Sequence, residues 1–414
     1  MLPKYSGRLW NQRVFTMHEA QPRIALFLRN LGDGGAERMM LNIACGMAGQ
    51  GVKVDLVLTK AEGTYLAQVP PEVRIVDLKA SHFDKGRIFN LPTSLQSTTS
   101  LPKLIRYLQN EQPAALLSAT HYPNEIAVLA KSLARVPTRL VVSEHTTLSM
   151  EARRVEQVSS RLAPLAARLF YPWADGILAV SWGVARDLAQ ITGLPLERIQ
   201  VIYNPVITPE LRERAKEPMN HPWFAPGEPP VVLGVGRLVA QKDFPTLIRA
   251  FAQVRQVRPA RLMILGSGRE QKRLEALVRE LRLEDDVALV GFVKNPSPYM
   301  AHSAVFVLSS AWEGLPTVLI EAMAVGTPVI STNCESGPAE ILDNGKYGEL
   351  VPVGNTEAMA EAILNVLSGK SKSVDSTWLD QFTLESATQK YLDILGMRHL
   401  QKLNFSSSGT RVSD

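Results

Sequence analysis

Cysteine is almost absent from this sequence: its 414 residues include only Cys45 and Cys334, which lie far apart. This excludes a disulfide framework, and neither cysteine belongs to a Cys-x-x-Cys pair or to a Cys/His group with metal-ligand spacing. Long apolar runs are also lacking, because no stretch reaches the roughly 18 residues of a membrane-spanning helix. Residues 1–22 mix charged and aromatic side chains without the unbroken apolar stretch of a secretory signal. A cytoplasmic protein with two ordinary thiols is therefore expected.

Charge is distributed unevenly along the chain. Residues 1–205 contain 23 Lys and Arg against 16 Asp and Glu, whereas the remainder contains 22 against 24. A basic first half beside a nearly neutral second half suits an anionic substrate or surface that meets the first half. The basic residues are scattered and are not interleaved with aromatic residues, so nucleic acid is not an expected partner.

The length and the hydrophobic pattern predict two domains. A chain of this size exceeds one ordinary core, and from residue 23 apolar runs of strand length alternate with segments of helical spacing. This alternation is typical of a parallel, doubly wound sheet. In the first half we expect a helix at 36–49 and strands at 24–28, 52–58, 73–78, 114–118, 140–143 and 176–180.

A proline-rich stretch marks the junction between the halves, because five prolines fall between 218 and 230, shortly after Asn204-Pro205. The alternation then restarts, with helices expected at 244–258 and 270–281 and strands at 231–235, 261–266, 287–290, 304–308 and 329–330. We predict an α/β protein whose two Rossmann-like domains face a central cleft, where such folds bind ligands. The predicted divisions are an N-terminal extension (1–22), a first domain (23–205), a second domain (206–375) and a disordered tail (400–414).

The most informative motif lies in residues 313–330. An apolar strand leads to a loop that carries Glu313, and Pro316 can occupy the first turn of the following helix, where its missing N–H costs nothing. Glu321 comes eight positions later within that helix, which Gly326 ends. The two carboxylates can therefore point into one cleft. The backbone N–H groups near Gly314 face the same way as the helix N-terminus, which suits a sugar hydroxyl or a phosphate oxygen.

A second motif places two cations on a loop. The strand at 231–235 ends at Gly236, and Arg237 and Lys242 follow it five positions apart. A diphosphate leaving group needs positive charge when its bond to a sugar breaks, and a fixed Arg/Lys pair supplies that charge without a metal. The alternative is a pair of ordinary surface charges.

Glycines and histidines follow the strands of the first half. Gly34 and Gly35 stand at the start of a predicted helix, where a glycine pair lets the backbone approach a phosphate closely. A simple tight turn is the alternative. His121 and His145, two of the seven histidines, each come just after a strand. The residues alone leave open whether these histidines are structural or belong to a site.

Several of these motifs resemble one family. Glu313 and Glu321 fit the E-x7-E pattern of retaining glycosyltransferases with the GT-B fold, and the whole of residues 313–330 is similar to glycosyltransferase family 4. Residues 236–242 resemble the family's G-R-x-x-x-x-K element, and Gly34-Gly35 resembles its first glycine loop. The resemblance covers about residues 23–395, with specific motifs in the second half. We also expect a helix at about 376–396 to pack back on the first domain.

The resemblance implies a role for each motif residue. Glu313 orients the hydroxyls of the donor sugar, Glu321 meets the ribose of the nucleotide, Arg237 and Lys242 neutralise the diphosphate, and His145 meets the donor sugar and phosphate. The remaining implied positions are His121, as a competitor of His145 or an acceptor contact, and the donor-binding residues Gly34, Gly35, Gly236, Gly291, Phe292, Gly314, Leu315 and Pro316.

The implied reaction moves a hexose or acetamido-hexose from a nucleotide-diphosphate sugar to a glycan or a polyprenyl-diphosphate-linked acceptor, with retention of configuration. Residues 336–342, Ser-Gly-Pro-Ala-Glu-Ile-Leu, resemble a subgroup that acts on lipid-linked bacterial oligosaccharides, often with acetamido sugars. No cofactor is expected beyond the nucleotide sugar as co-substrate. A strict DxD motif is absent from the sequence, so no divalent metal is expected.

Three other functions were weighed. The two glutamates could serve as the acid and nucleophile of a glycoside hydrolase, but a hydrolase has no anionic leaving group for the nearby cations to stabilise. A catalytically inactive sugar-nucleotide-binding or scaffold protein of the same fold is a second alternative. A phosphorylase-type enzyme is the third.

Residues 150–170 carry an apolar stripe between cations, and Pro164 is expected to bend or restart the helix. One interpretation is a helix packed on the first sheet with its arginines in water. The other is a membrane-surface helix that docks on anionic lipid, which makes the protein peripheral on the inner face of the cell membrane. The cations are Arg153, Arg154, Arg161 and Arg168, and the apolar residues are Val155, Val158, Leu162, Leu165, Leu169 and Phe170.

Overall fold

The computed structural model of the chain describes residues 22–32, 34–80, 99–154 and 158–397. The predicted tail (400–414) and residues 1–21 of the predicted extension lie outside the described residues, as do Asp33 of the first glycine loop and Val155 of the apolar stripe.

The described residues form two parallel sheets. The strands of the first are β1 (Arg23–Leu28), β2 (Lys53–Leu58), β3 (Val73–Asp77), β4 (Ala115–Ala119), β5 (Arg139–Glu144), β6 (Gly176–Ala179) and β7 (Ile199–Val201). Their spatial order is β3-β2-β1-β4-β5-β6-β7, and every neighbouring pair is parallel. The order reverses direction beside β1, which is the point where doubly wound sheets open a crevice for ligands.

The second sheet repeats this plan. Its strands are β8 (Val231–Val235), β9 (Arg261–Leu265), β10 (Val287–Gly291), β11 (Val305–Leu308), β12 (Val329–Thr332) and β13 (Glu349–Val351). Their order is β10-β9-β8-β11-β12-β13, again parallel throughout. The predicted fold class, two Rossmann-like parallel-sheet domains, is thus confirmed.

Helices connect the strands on both faces of each sheet. Those of the first part of the chain are α1 (Gly35–Gly49), α2 (Ser100–Glu111), α3 (His121–Ala134), α4 (Leu148–Arg154), α5 (Val158–Phe170), α6 (Trp182–Thr192) and α7 (Pro209–Ala215). Those of the second are α8 (Phe244–Val257), α9 (Gln271–Glu280), α10 (Ser297–His302), α11 (Thr317–Ala324), α12 (Pro338–Ile341), α13 (Thr356–Leu367), α14 (Ser376–Leu379) and α15 (Leu384–Ile394).

The last helix lies on the first sheet's side of the molecule. The Tyr391 hydroxyl of α15 lies 3.7 Å from the sulfur of Met39 in α1, and Arg139 donates to the carbonyl of Ile394 at 2.7 Å. Gly46 of α1 faces Thr388 so closely that a Cβ there would lie 2.2 Å from the threonine hydroxyl. These contacts clamp α15 against α1 and β5.

Two details of the predicted elements are corrected. Pro316 does not lie in the first turn of a helix, because it occupies the position before α11, which begins at Thr317. Pro164 does not restart a helix, because α5 runs through it from residue 158 to 170. A single proline removes one N–H donor from the helix, and α5 tolerates that loss.

Candidate active site

The carboxyl ends of the two sheets meet where the predicted site residues lie. His145 directly follows β5 of the first sheet, and the loop with Gly314 follows β11 of the second. A Cβ built on Gly314 would lie 2.1 Å from the carbonyl oxygen of His145, so the two backbones touch across the cleft. Glycine is required here by this close approach, since any side chain would collide with backbone.

A buried ion pair stands beside this contact. The Nζ of Lys242 lies 2.6 Å from an Oε of Glu313, and their side chains are only 14% and 7% exposed. Sequence reasoning assigned these two residues separately, and the structure brings them together. A lysine ammonium has three N–H donors, so this bond leaves two donors for a further anion.

Loop hydrogen bonds hold this ion pair in place, and they were not predicted. Gln241 donates from its side chain to the carbonyl of Trp312 at 3.0 Å, and its own carbonyl accepts from the N–H of Ala311 at 2.8 Å. The Ser309 hydroxyl donates to the carbonyl of Lys242 at 2.7 Å. Because three bonds join the loop after β8 to the loop after β11, the Lys242 and Glu313 side chains meet in a fixed geometry.

The glycines of the second sheet allow its strand ends to crowd together. A Cβ on Gly236 would make a tight contact with the Lys242 side chain, at 3.2 Å. Gly266, in the left-handed region at φ +142°, would place a Cβ 1.9 Å from the carbonyl oxygen of Gly236. Gly291 also has positive φ, at +87°, and the following Phe292 is 63% exposed. A flat, exposed ring beside glycine backbone is suited to contact with a nucleotide base.

Arg237 takes no part in the Lys242–Glu313 ion pair. It is exposed on the loop after β8, and no carboxylate of the described residues forms an ion pair with it. Its guanidinium is free to bind an anion that enters the cleft. The structure thus brings Lys242 to Glu313 and leaves Arg237 at the surface.

His145 is neutral at neutral pH. Burial lowers the pKa of His145 to about 4, although part of the residue remains exposed. Its Nε2 lies 3.1 Å from the Ser143 hydroxyl, and its enclosed Nδ1 has no hydrogen-bond partner among the described residues. A neutral imidazole has one donor and one acceptor nitrogen, so Nδ1 keeps an unused hydrogen-bonding capacity, although the surrounding residues enclose the atom.

Glu321 lies in α11, the helix that begins four residues after Glu313 of the ion pair. Burial raises the pKa of the Glu321 carboxyl, and the positive charges of Arg38 and Arg214 partly oppose this rise. Arg38 belongs to α1, which starts at the first glycine loop, so a charge of the first domain acts on an acid of the second. Such an enclosed carboxylate is a strong acceptor for the hydroxyl of a ligand.

The first glycine loop and His121 lie on the first-domain side of the cleft, after β1 and β4. Gly34 precedes α1, and a Cβ there would collide with the Glu37 carboxylate at 2.2 Å, whereas Gly35 faces open space. His121 begins α3, and its charge lowers the pKa of Glu144, which burial raises. Among the residues that the structure describes, no hydrogen bond joins Gly34, Gly35 or His121 to the Lys242–Glu313 pair.

The loop at 336–340 contributes unpredicted contacts across the cleft. The Ser336 hydroxyl lies 2.8 Å from the Ser181 hydroxyl of the first domain and donates to the carbonyl of Gly314 at 2.8 Å. Glu340 accepts hydrogen bonds from the backbone N–H groups of Trp182 and Gly183 at 2.8 and 2.9 Å. Backbone donors have no sequence signature, so the pattern alone could not reveal this contact.

On the same loop, Gly337 has φ +93°, and a Cβ there would lie 2.5 Å from the ring of Pro316. Leu315 is buried at 7% exposure. The predicted loop residues 314–316 are therefore enclosed between His145 and the 336–340 loop.

No group of three or more His, Cys, Asp or Glu in the described ranges could hold a metal ion. None of the described helices has the length and apolar content of a membrane span.

This fold and this cleft define the class of GT-B glycosyltransferases. Residues 216–376 match the family model described as Glycosyl transferases group 1, and residues 33–209 match the one described as Glycosyltransferase Family 4. N-acetylgalactosamine-N,N'-diacetylbacillosaminyl-diphospho-undecaprenol 4-alpha-N-acetylgalactosaminyltransferase of Campylobacter jejuni is 31% identical over 345 residues, which are 83% of this chain and 90% of that relative. The chain therefore belongs to the group 1 glycosyltransferases and is a transferase.

Two further proteins are similar to this chain. The lipopolysaccharide core biosynthesis glycosyltransferase LpsE of Rhizobium meliloti is 28% identical over 376 residues, which cover 88% of this chain and 97% of LpsE. The crystal structure of HepE from Anabaena in complex with UDP has a TM-score of 0.63 and 22% identity, and the match covers 94% of this chain and all of HepE. The structural likeness extends over both domains.

Proposed function

We propose that this protein is a retaining glycosyltransferase that moves a hexose or acetamido-hexose from a nucleotide-diphosphate sugar to a lipid-linked or other glycan acceptor in polysaccharide or glycoconjugate synthesis. The observation that carries the proposal is the enclosed Lys242–Glu313 pair at the contact between the two domains. The names of the relatives support the substrate classes, because they include a transferase for a diphospho-undecaprenol-linked glycan and one for a lipopolysaccharide core.

In this proposal the donor diphosphate lies over the loops that follow β8 and β11. Two N–H donors of Lys242 and the free guanidinium of Arg237 bind it, and positive charge on Lys242 stabilises the phosphate oxygen as the sugar bond breaks. Glu313 keeps one oxygen on Lys242 and offers the other to a sugar hydroxyl. Neutral His145 meets the donor sugar and phosphate without adding charge to the site.

The acceptor hydroxyl attacks from the same face that the diphosphate leaves. A bond forms between the acceptor oxygen and the anomeric carbon as the bond from that carbon to the phosphate oxygen breaks. The hydroxyl proton passes to the departing phosphate oxygen, so atoms and charge balance without a protein nucleophile. A hydrolase mechanism is disfavoured because Glu313, the candidate nucleophile, is held in an ion pair with Lys242.

A donor panel tests this proposal. The purified protein is mixed with UDP-, GDP- and dTDP-linked sugars and a lipid-linked glycan, and nucleotide release is measured together with the anomeric configuration of the product by NMR. We expect nucleotide release from one donor and an α-linked product from an α-linked donor. Nucleotide binding without release from any donor would favour the inactive binding protein, and an inverted product would exclude retention.

The next prediction is that the reaction does not require a divalent metal. Because Lys242 and Arg237 neutralise the diphosphate, we expect the rate of nucleotide release to stay within about twofold when EDTA is added. A rate that collapses with the chelator and returns with magnesium would contradict the cation assignment.

The two glutamates are expected to affect different kinetic constants. Glu313→Gln keeps the shape but removes the charge beside the reacting sugar, so kcat should fall about tenfold or more with nucleotide affinity nearly unchanged. Glu321→Ala removes the enclosed acceptor proposed for the ribose, so the Kd for the nucleotide should rise about tenfold. Calorimetry and steady-state kinetics separate these effects, and an exchange of the two results would show the roles to be reversed.

The proposal also includes peripheral association with the inner face of the cell membrane, where a polyprenyl-diphosphate-linked acceptor would be met. The basic first half of the sequence supports it.

A further inference from the structure

Helix α5 turns an apolar face to solvent. Leu162, Leu165 and Leu169 are 52%, 56% and 57% exposed, whereas Ala163 and Ala167 of the same helix are buried against the core. Residues three, four and seven apart lie on one side of a helix, so the three leucines form a continuous strip. A helix on the surface of a soluble domain normally places such residues inward. Here the small residues face the core and the large apolar ones face outward.

The apolar surface extends beyond α5. Leu133 of the neighbouring α3 is 58% exposed, and Trp173, three residues after α5, is 72% exposed. We call Leu133, Leu162, Leu165, Leu169 and Trp173 the α5 face. An exposed tryptophan at the edge of such a surface is suited to a lipid–water interface, where its ring is apolar and its N–H meets headgroups.

Cations border the α5 face on one side. Arg161 and Arg168 are seven residues apart on α5, so they form a row beside Leu165, and both are exposed. In the described part of the chain, neither forms an ion pair with a carboxylate. Positive charge along an apolar strip is complementary to a surface that combines acyl chains with anionic phosphates.

A cavity of about 550 Å³ opens on this basic side, between α4, α5 and α6. Arg153 of α4 and Arg168 of α5 line it together with the apolar Met150 and Leu165, and Glu335 of the second domain contributes one carboxylate to the lining. Glu335 directly precedes Ser336, which contacts Gly314 of the site. The cavity is therefore next to the cleft, and its two arginines against one carboxylate leave it with a net positive charge.

We propose that the α5 face docks on a bilayer that contains anionic phospholipids, and that Arg153 and Arg168 hold a lipid phosphate group in the adjacent cavity. This inference rests on the proposed function, because docking here brings the mouth of the cleft to the membrane surface where a lipid-linked acceptor is found. A protein partner is less well matched, since the strip is bordered by arginines on one side and by exposed leucine and tryptophan on the other.

Vesicle co-sedimentation of the full chain tests the inference. Phosphatidylcholine vesicles with and without phosphatidylglycerol are compared at low salt and at physiological ionic strength. We expect binding that requires phosphatidylglycerol and weakens with salt. R153Q/R168Q should lower the vesicle partition coefficient at least about tenfold, as should L162S/L169S. The matched control is V257S/R279Q in the second domain, where Val257 is 68% exposed and Arg279 is an exposed helix cation.

Tryptophan quenching adds a positional readout. Brominated phospholipids should quench the emission of bound wild-type protein, and W173F should lose most of that quenching while it still sediments with the vesicles. Quenching that is unchanged in W173F would place another tryptophan at the bilayer and overturn the assignment of the α5 face.

Other outcomes also contradict the inference. No sedimentation at low salt excludes docking, and a dimer in light scattering that L162S/L169S abolishes would make the α5 face an interface between two copies. Calorimetric binding of inorganic phosphate that R153Q/R168Q removes, without vesicle binding, would make the cavity a site for free phosphate.

UDP binding and nucleotide release by L162S/L169S with a soluble acceptor report on the proposed function alone. If vesicle binding fails while release persists, the inference falls alone, and the reverse result removes the proposed function.

Discussion

Lys242→Ala is expected to lower kcat about a thousandfold, the largest effect of any single substitution that the site supports. The change removes the cation proposed to face the diphosphate, a loss comparable to removing a donor of an oxyanion hole. It also leaves Glu313, only 7% exposed, as a buried carboxylate without its ion-pair partner. Nucleotide release with a saturating donor measures the effect.

The control for this variant is Lys53→Ala, because Lys53 is an exposed lysine that begins β2, at the edge of the first sheet opposite the carboxyl ends that face the cleft. It should retain wild-type activity. The double variant K242A/E313Q should lose no more activity than K242A, since residues that act as one unit show strongly non-additive effects. A fall of less than tenfold in K242A, or fully additive losses in the double variant, would show that the pair is not the centre of the reaction.

Gly314→Ala is expected to lower kcat/KM about a hundredfold without unfolding either domain. The new Cβ would lie 2.1 Å from the carbonyl oxygen of His145, and both atoms belong to backbone or to groups fixed on it. The contact can be relieved only if the two domains move apart at the site. A displacement of about 1 Å there is enough for a loss of this size.

Gly49→Ala is the matched control, because a Cβ on Gly49 meets nothing within 4 Å. Since alanine favours a helix over glycine, this variant should keep full activity and gain about 0.5–1 kcal/mol of stability. One buried cluster joins residues of both sheets, and each sheet also has a cluster of its own. Thermal unfolding should show only a small fall of the Tm in G314A, because the clusters within each domain stay intact. Full activity in G314A would mean that the contact with His145 has no role in aligning the site.

The sequence was sufficient for the main elements of the fold and insufficient for their short parts. Apolar runs such as 24–28 and 231–235 identify buried strands because parallel sheets hide both faces. The strands Ile199–Val201 and Glu349–Val351 were missed, since three residues are too few to show either alternation or a run. They are held by pairing with β6 and β12, which is tertiary information.

The same limit applies to the site. The sequence shows that Glu313 supplies a carboxylate and Lys242 a cation. It does not show that they form an ion pair, because the two positions are 71 residues apart. The bonds from Gln241 and Ser309 that fix it involve backbone carbonyls, which every residue possesses. The exposure of Arg237 is likewise a tertiary property, and its predicted role beside Lys242 stays a prediction.

Glu340 of the second domain binds the N-terminus of α6, a helix of the first domain. The first N–H groups of any α-helix lack partners inside that helix, and its N-terminus attracts negative charge. For α6, the carboxylate that meets the amides of Trp182 and Gly183 comes from the other side of the cleft. Separation of the domains leaves the Ser181 cap of α6 in place but removes the acceptor of these two amides, so that cleft opening and their exposure to water are a single event. The rates of amide hydrogen exchange at Trp182 and Gly183 therefore report how often the cleft opens.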